Sequence, residues 1–327
     1  MKAAWYTSFG PAEEALIIGE LKTPEPEPGE VKIRVYASGV NPSDTKKRFG
    51  ANPALLDDGP VIPNSDGAGE IVSVGEGVSS SRVGERVWVY NAQYGRRLGT
   101  SAEYVCLPSD YAIMLPESAD YNAGAMMGIP AMTSHRCVFA DGSVEGQTLL
   151  VTGGAGRVGY YAIQWAKEYG ATVISTASSD ASREQCNNAG ADLVVRHPSE
   201  ESVKEMLEYT NGKKIDRIIE GDFGANLLPV LEVLKTGGTI ATYSSMTDMN
   251  PSIPFVRMMF MDITIRMVLV YEMPKEAKEH AAKDITTMLS QNRFDNRVAK
   301  EYSLDDIASA HTLIESGKPY GSVIIKP

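Results

Sequence analysis

The chain holds only three cysteines and four histidines in 327 residues. Cys106, Cys137 and Cys186 lie far apart and form no CxxC pair, which argues against a disulfide framework and suits a reducing compartment. His135, His197, His280 and His311 show neither HxxxH nor HExxH spacing, so no metal site is predicted from them. No apolar run approaches the roughly 18 residues of a membrane span. The first residues, Met1 to Tyr6, pass into a polar turn without a signal-peptide core, and the expectation is a cytoplasmic protein. Positive charge is scarce too: 31 Lys and Arg face 42 Asp and Glu, for a net charge of −11. A general nucleic-acid or anionic-membrane surface is therefore not expected, and an anionic ligand must meet a local cluster of cations. Internal repeats and low-complexity segments are absent.

What remains is the composition of an ordinary globular protein, with 43% hydrophobic and 22% charged residues. Its length suits about two domains. The most informative stretch is Thr148-Leu149-Leu150-Val151-Thr152-Gly153-Gly154-Ala155-Gly156-Arg157-Val158-Gly159. A short β-prone run enters Gly154-x-Gly156-x-x-Gly159, and a helix-like run follows to Tyr169. This layout sets a dinucleotide pyrophosphate on a helix N-terminus, where free N–H groups and the dipole stabilise negative charge. Gly154 is expected to allow the tight turn, Gly156 the approach of the phosphates and Gly159 close helix–strand packing.

The N-terminal third reads as β-rich. Val31, Ile33 and Val35 alternate with Lys32, Arg34 and Tyr36, and further strands are expected at 67–75, 83–90 and 102–107. From about Asn122 the texture changes to strands at 148–152, 171–176, 192–196, 215–220, 238–243 and 262–269. Helices at 156–169, 181–188, 199–210 and 225–235 separate them. That alternation predicts a parallel, doubly wound α/β sheet with its ligand at the strands' carboxyl ends. After Glu272 helices are expected at 277–289 and 304–316, then a last strand at 322–326. Periodicity leaves open which domain these tail elements join.

The choice of dinucleotide turns on the end of the second strand of this sheet. An acidic residue about 20 positions past the glycines holds the ribose 2′-hydroxyl of NAD, and a 2′-phosphate repels it. Here Ser175-Thr176-Ala177-Ser178-Ser179 brings no carboxylate before Asp180. Hydroxyls, Arg183, Arg196 and His197 suit a phosphate, favouring NADPH. The competing reading makes the arginines solvated surface cations and turns Asp180 to a ribose.

Asn41-Pro42-Ser43-Asp44-Thr45, Gly67-Ala68-Gly69, Gly128-Ile129-Pro130-Ala131-Met132-Thr133, the glycine motif and Gly321-Ser322-Val323-Ile324-Ile325 follow in this order along nearly the whole chain. In this the sequence resembles the zeta-crystallin type of NADPH:quinone oxidoreductase, a zinc-free branch of the medium-chain dehydrogenase/reductase superfamily. The resemblance implies a GroES-like, β-rich catalytic domain from residues 1–122 and 273–327. A Rossmann dinucleotide-binding domain, residues 123–272, is inserted between them. It further implies a homodimer associating through the nucleotide-binding domains, NADPH as cofactor, and hydride transfer to a quinone. Zinc-dependent relatives place a Cys where Asn41 stands and Gly-His-Glu where Asn64-Ser65-Asp66 stands. They also carry a four-Cys lobe, so no metal is expected here and the Lewis-acid route is missing.

By position, the resemblance puts Pro42 to Lys46, Thr133 and His135 around the nicotinamide and its phosphates. Gly154, Ala155, Gly156, Arg157, Val158 and Gly159 would hold the pyrophosphate, and Ser178, Arg183 and His197 the adenosine phosphate. Gly221, Tyr243, Ser244, Ser245, Met246, Arg266, Met267 and Val268 would line the rest, with Lys318 at the adenine end. The pattern departs where Lys46 and His135 replace a common Tyr, and where Arg157 and Ser178 replace Gly. The oxyanion left by hydride transfer needs stabilising and a proton, and Asn41, Lys46 and His135 are the candidates. His135 has the best intrinsic pKa, against a structural reading of the same residue. Lys46 doubles as a solvated loop lysine, Asn41 suits orientation better than proton transfer, and a quinol can also take protons from water. His280 and His311 read as surface residues. Two rival functions stay open: a 2-alkenal or enoyl-thioester reductase, and an NADPH-binding protein with an RNA-binding or structural role.

Overall fold

Val31, Ile33 and Val35 are buried and Arg34 between them is exposed, so the alternating run does build a strand with one face in a core. In the computed structural model, which describes residues 1–197 and 199–327, the chain divides into two units. One is Met1–Ile129 with Ala282–Pro327, the other Pro130–Ala281.

The first unit runs through β1 (Lys2–Tyr6), α1 (Ala12–Ala15), β2 (Leu16–Glu20), β3 (Glu30–Val40), α2 (Pro42–Arg48), β4 (Asp66–Val74), β5 (Arg86–Val89), β6 (Tyr104–Pro108), β7 (Ala112–Met114) and α3 (Tyr121–Gly124). The second unit then alternates α4 (Met132–Phe139), β8 (Thr148–Val151), α5 (Arg157–Glu168), β9 (Thr172–Thr176), α6 (Asp180–Asn188), β10 (Leu193–Val195), α7 (Glu200–Tyr209), β11 (Ile215–Glu220), α8 (Phe223–Val233), β12 (Leu234–Thr242), α9 (Phe255–Phe260) and β13 (Thr264–Met267). Helix α10 (Lys275–Ser290) leads to β14 (Val298–Ser303), α11 (Ile307–Glu315) and β15 (Ser322–Lys326).

In the first unit β3 is the hub of a seven-stranded sheet, antiparallel to β4, β6 and β15. The crossing of β3 and β4 is close: a Cβ on Gly69 would lie 1.9 Å from the Arg34 carbonyl oxygen, so only glycine fits. Of the tail elements, α11 and β15 fall in this unit, because Ile307, Ala310 and Ile314 of α11 share a core with Val40, Val323 and Ile325. His311 follows them inward. The surface position expected for it is wrong, since it is fully buried on the same stripe of α11, with both ring nitrogens unpartnered among the described residues. Burial pushes its pKa down to about 3, so it stays neutral in the fold. His280 is exposed, as its polar helix suggested.

The second unit holds six parallel strands in the order β10-β9-β8-β11-β12-β13. Leu150, Ile174, Val195, Ile218 and Ile240 fill the centre, and each such buried side chain contributes about 1.5–3 kcal/mol. Strand order reverses between β8 and β11, which opens the crevice used for ligands in sheets of this type. The predicted helix 225–235 stops at Val233, because Leu234 turns into extended backbone and drops its side chain into this core as the first residue of β12. Among the described residues no helix is long and apolar enough to cross a membrane.

Candidate active site and cofactor cradle

Three strand ends meet around the glycine loop. Gly221 N–H, just past β11, donates to Thr152 Oγ1 past β8 at 2.9 Å, and Gly153 N–H donates to Thr176 Oγ1 of β9 at 2.9 Å. The tight turn falls one residue earlier than expected, at Gly153, whose φ is +61°. Gly154 serves packing instead: a Cβ there would sit 2.1 Å from Ser175 Oγ and 2.6 Å from Ile163 Cδ1. Gly156 caps α5 in extended conformation, and Arg157 opens the helix. At Gly159 a Cβ would meet the Gly153 carbonyl oxygen at 2.7 Å and Gly154 Cα at 2.8 Å. The first turn of α5 thus lies directly on the loop, leaving its amides to face an anion.

At the ends of the adjacent strands β9 and β10, Ser178, Arg196 and His197 are exposed, and Ala177 N–H bonds the Val195 carbonyl at 2.9 Å. Asp180 stands in the first turn of α6. The Arg183 guanidinium donates to the Val194 carbonyl, tying α6 to β10. Its position fits the expected phosphate corner, and its bond to Val194 is structural.

Gly221 and Tyr243 to Met246 follow the ends of β11 and β12, and Arg266 to Val268 close and follow β13. A cavity of about 410 Å³ opens there, lined by Phe223, Tyr243, Ser245, Met249, Ile253 and Met267 among others. The Arg266 side chain is engaged elsewhere: it forms a two-pronged ion pair with Asp141, through Nε at 2.8 Å and through Nη2, and this holds the Asp141 carboxyl below its usual range. This pair occupies the guanidinium expected among the cofactor contacts. Sequence reasoning missed Glu220, which is fully buried at the end of β11. Its Oε1 accepts from Asp222 N–H at 2.6 Å and Asn226 Nδ2 at 2.8 Å, and burial raises its pKa.

Thr133 and His135 are buried in α4. His135 packs against Phe139, Trp165 and His280, with ring centroids 4.8, 5.1 and 5.3 Å away. Three aromatic rings thus lie against His135. His135→Phe should therefore leave turnover far above the 100-fold loss that removing a general acid causes, while His135→Ala lowers the melting temperature. Steady-state rates and melting curves of both variants check this, and a 100-fold drop in kcat for His135→Phe would restore the acid role. Lys318 is exposed on the first unit, in the turn after α11.

The first unit carries a buried polar corner. Asn41 caps α2, and its N–H donates to Asp44 Oδ2 at 2.9 Å. The Asn41 amide donates to Asp66 Oδ2 at 2.8 Å, and Ile129 N–H reaches the same oxygen at 2.8 Å. Asn41 is therefore engaged in holding Asp66, which suits positioning over proton transfer. Burial pushes the Asp66 carboxyl up to about 8, so it carries a proton at neutral pH. Lys46, the sequence candidate, is exposed. Its neighbour Lys47 is the buried one, with Nζ donating to Ser65 Oγ at 3.0 Å and to the Gln93 carbonyl at 2.9 Å.

Residues 158–287 match the zinc-binding dehydrogenase family, and residues 27–117 the alcohol dehydrogenase GroES-like domain. The quinone oxidoreductase of Rattus norvegicus is 30% identical over 332 residues, covering 99% of this chain and 97% of its own. The chain belongs to the quinone oxidoreductase family. It is thus an oxidoreductase of the medium-chain dehydrogenase/reductase superfamily. Among solved structures, a mycobacterial quinone oxidoreductase superposes with a TM-score of 0.89 at 27% identity, each chain covered completely. A mycobacterial protein complexed with NADPH superposes with a TM-score of 0.87 at 26% identity over the full length of both.

Proposed function

We propose that this quinone oxidoreductase family member reduces quinones with a hydride from NADPH and needs no zinc. The observation that carries the reading is the Asn41–Asp66 hydrogen bond beside Lys47 and Ser65. At the three positions where zinc-dependent relatives hold their ligands, this chain offers an amide, a hydroxyl and a protonated carboxyl, each already engaged within the protein. That donor set, with no thiolate or imidazole and with its carboxyl protonated, does not fit a zinc site, which takes Cys, His and ionised carboxylate ligands. An electron-poor acceptor needs no Lewis acid, whereas alcohol oxidation does.

The glycine loop fits a dinucleotide, since side chains at Gly154 or Gly159 would fill the cradle. NADPH supplies the hydride when bound. Gly154 to Gly159 hold its pyrophosphate, and Ser178, Arg183 and His197 hold its 2′-phosphate at the ends of β9 and β10. Gly221, Tyr243 to Met246 and Met267 to Val268 line the nicotinamide half. Support for NADPH over NADH comes from β9, which ends in Ser and Thr with no carboxylate before Asp180. In the first unit Asn41 and Lys46 are proposed to orient the acceptor, and the product oxyanion takes its proton from water. Homodimer formation through the second unit is supported by α9, which exposes Phe255, Val256, Met259 and Phe260 next to the edge strand β13.

The test is NADPH oxidation by chelator-treated protein across quinones, 2-alkenals and crotonyl thioesters. Quinones should give the highest kcat/KM, with no loss on chelation. A preference for alkenals or thioesters would move the assignment to the rival reductase, and activity restored only by zinc would sink the metal-free reading.

A further inference from the structure

Asp44 and Lys47 lie three residues apart on α2 and turn to the same side, into the first unit. Lys47 Nζ stands 3.5 Å from Asp44 Oδ1, and the Asp44 side chain has no solvent exposure. Ser65 bridges them, accepting from Lys47 at 3.0 Å and donating to Asp44 Oδ1 at 3.4 Å. Asp66, also fully buried, feels the charges of both Asp44 and Lys47. Its Oδ1 has no hydrogen-bond partner among the described residues. A single ammonium therefore stands among oxygen donors of Asp44, Ser65 and Gln93, with Asp66 and Asn41 alongside. Take the ammonium away, and carboxyl, hydroxyl and carbonyl oxygens remain around one buried point. Oxygen sets of this kind hold hard divalent ions such as Mn²⁺.

We propose that the Lys47 ammonium is a built-in cation: it holds the Asn41–Asp66 corner together and keeps divalent metal out of it. Lys47 is thus a positioning residue, acting through Asp44 on the Asn41 backbone and through Ser65 on the strand entering Asp66. The inference deepens the metal-free reading above and rests on it for its functional meaning.

The test reads metal binding and melting, so its outcome is separate from acceptor preference. Wild type, Lys47→Ala, Lys47→Gln and Lys47→Arg are titrated with MnCl₂, free Mn²⁺ being followed by electron paramagnetic resonance, and melted with and without the ion. Wild type and Lys47→Arg should leave the Mn²⁺ signal and their melting temperatures unchanged. Lys47→Ala should melt about 10 °C lower, the effect of stranding a buried carboxylate. It should take up one Mn²⁺ per chain and recover most of that loss when the ion is present. Lys47→Gln keeps the side-chain length without the charge and should also bind Mn²⁺. The proposal is overturned if either uncharged variant folds and ignores Mn²⁺, or if wild type binds the ion with Lys47 in place. It is equally overturned if neither uncharged variant folds with Mn²⁺ present, because the ion then cannot replace the ammonium.

Discussion

Gly159→Ala is expected to weaken NADPH binding roughly 10- to 100-fold. The added Cβ would lie 2.7 Å from the Gly153 carbonyl oxygen and 2.8 Å from Gly154 Cα. Both are backbone atoms, so a rotamer change cannot relieve the contact; either the loop or the first turn of α5 has to move. Overpacking of this kind costs about 1–3 kcal/mol, and each 1.4 kcal/mol is a factor of ten in affinity. The loss is expected to fall on the cofactor because the atoms that shift are the ones whose amides are proposed to face the pyrophosphate. Dissociation constants from fluorescence titration, set beside melting curves of the free protein, check this. A variant that binds NADPH as wild type does would remove the loop from the cofactor site.

Gly128→Ala should damage the other unit as severely. A Cβ at Gly128 would meet Asp66 Oδ1 at 2.0 Å. The Asp66 carboxyl must swing away and give up its bonds to Asn41 Nδ2 and Ile129 N–H, each 2.8 Å long. Leaving such buried groups unsatisfied costs about 1–3 kcal/mol apiece. Melting temperature and quinone turnover should therefore fall together, with NADPH affinity changing least because the glycine loop is untouched. If melting and turnover both stay at wild-type values, Asp66 is not the keystone of that corner.

The parallel sheet and its glycine loop were legible because they rest on local patterns: alternating elements, and glycines at spacings that backbone geometry demands. Even there the roles slipped by one residue. Nothing in GGAG marks which glycine takes the positive φ, and Gly153 rather than Gly154 does so. Side-chain partners far apart in sequence could not be read. The Arg266–Asp141 pair spans 125 residues, and it occupies a guanidinium that position alone put in the lining of the cofactor site. That Lys47 is the buried lysine and Lys46 the exposed one could not be read either. Adjacent lysines look equivalent until the helix phase is known, although the three-residue spacing of Asp44 and Lys47 was a signal for an internal pair. His311 was misplaced because its neighbours Thr312 and Glu315 look polar, while the stripe it shares with Ile307 and Ile314 is buried. The intrinsic pKa of His135 makes it a candidate acid in the sequence, and that value says nothing about the ring's surroundings, which include Trp165.

The most direct test of the central claim is the stoichiometry of NADPH oxidised to quinol formed by protein stripped of metal and assayed with chelator present. The account predicts one quinol for each NADPH, at the same rate before and after stripping. Loss of activity that returns only with zinc, or NADPH oxidation without quinol formation, would contradict it.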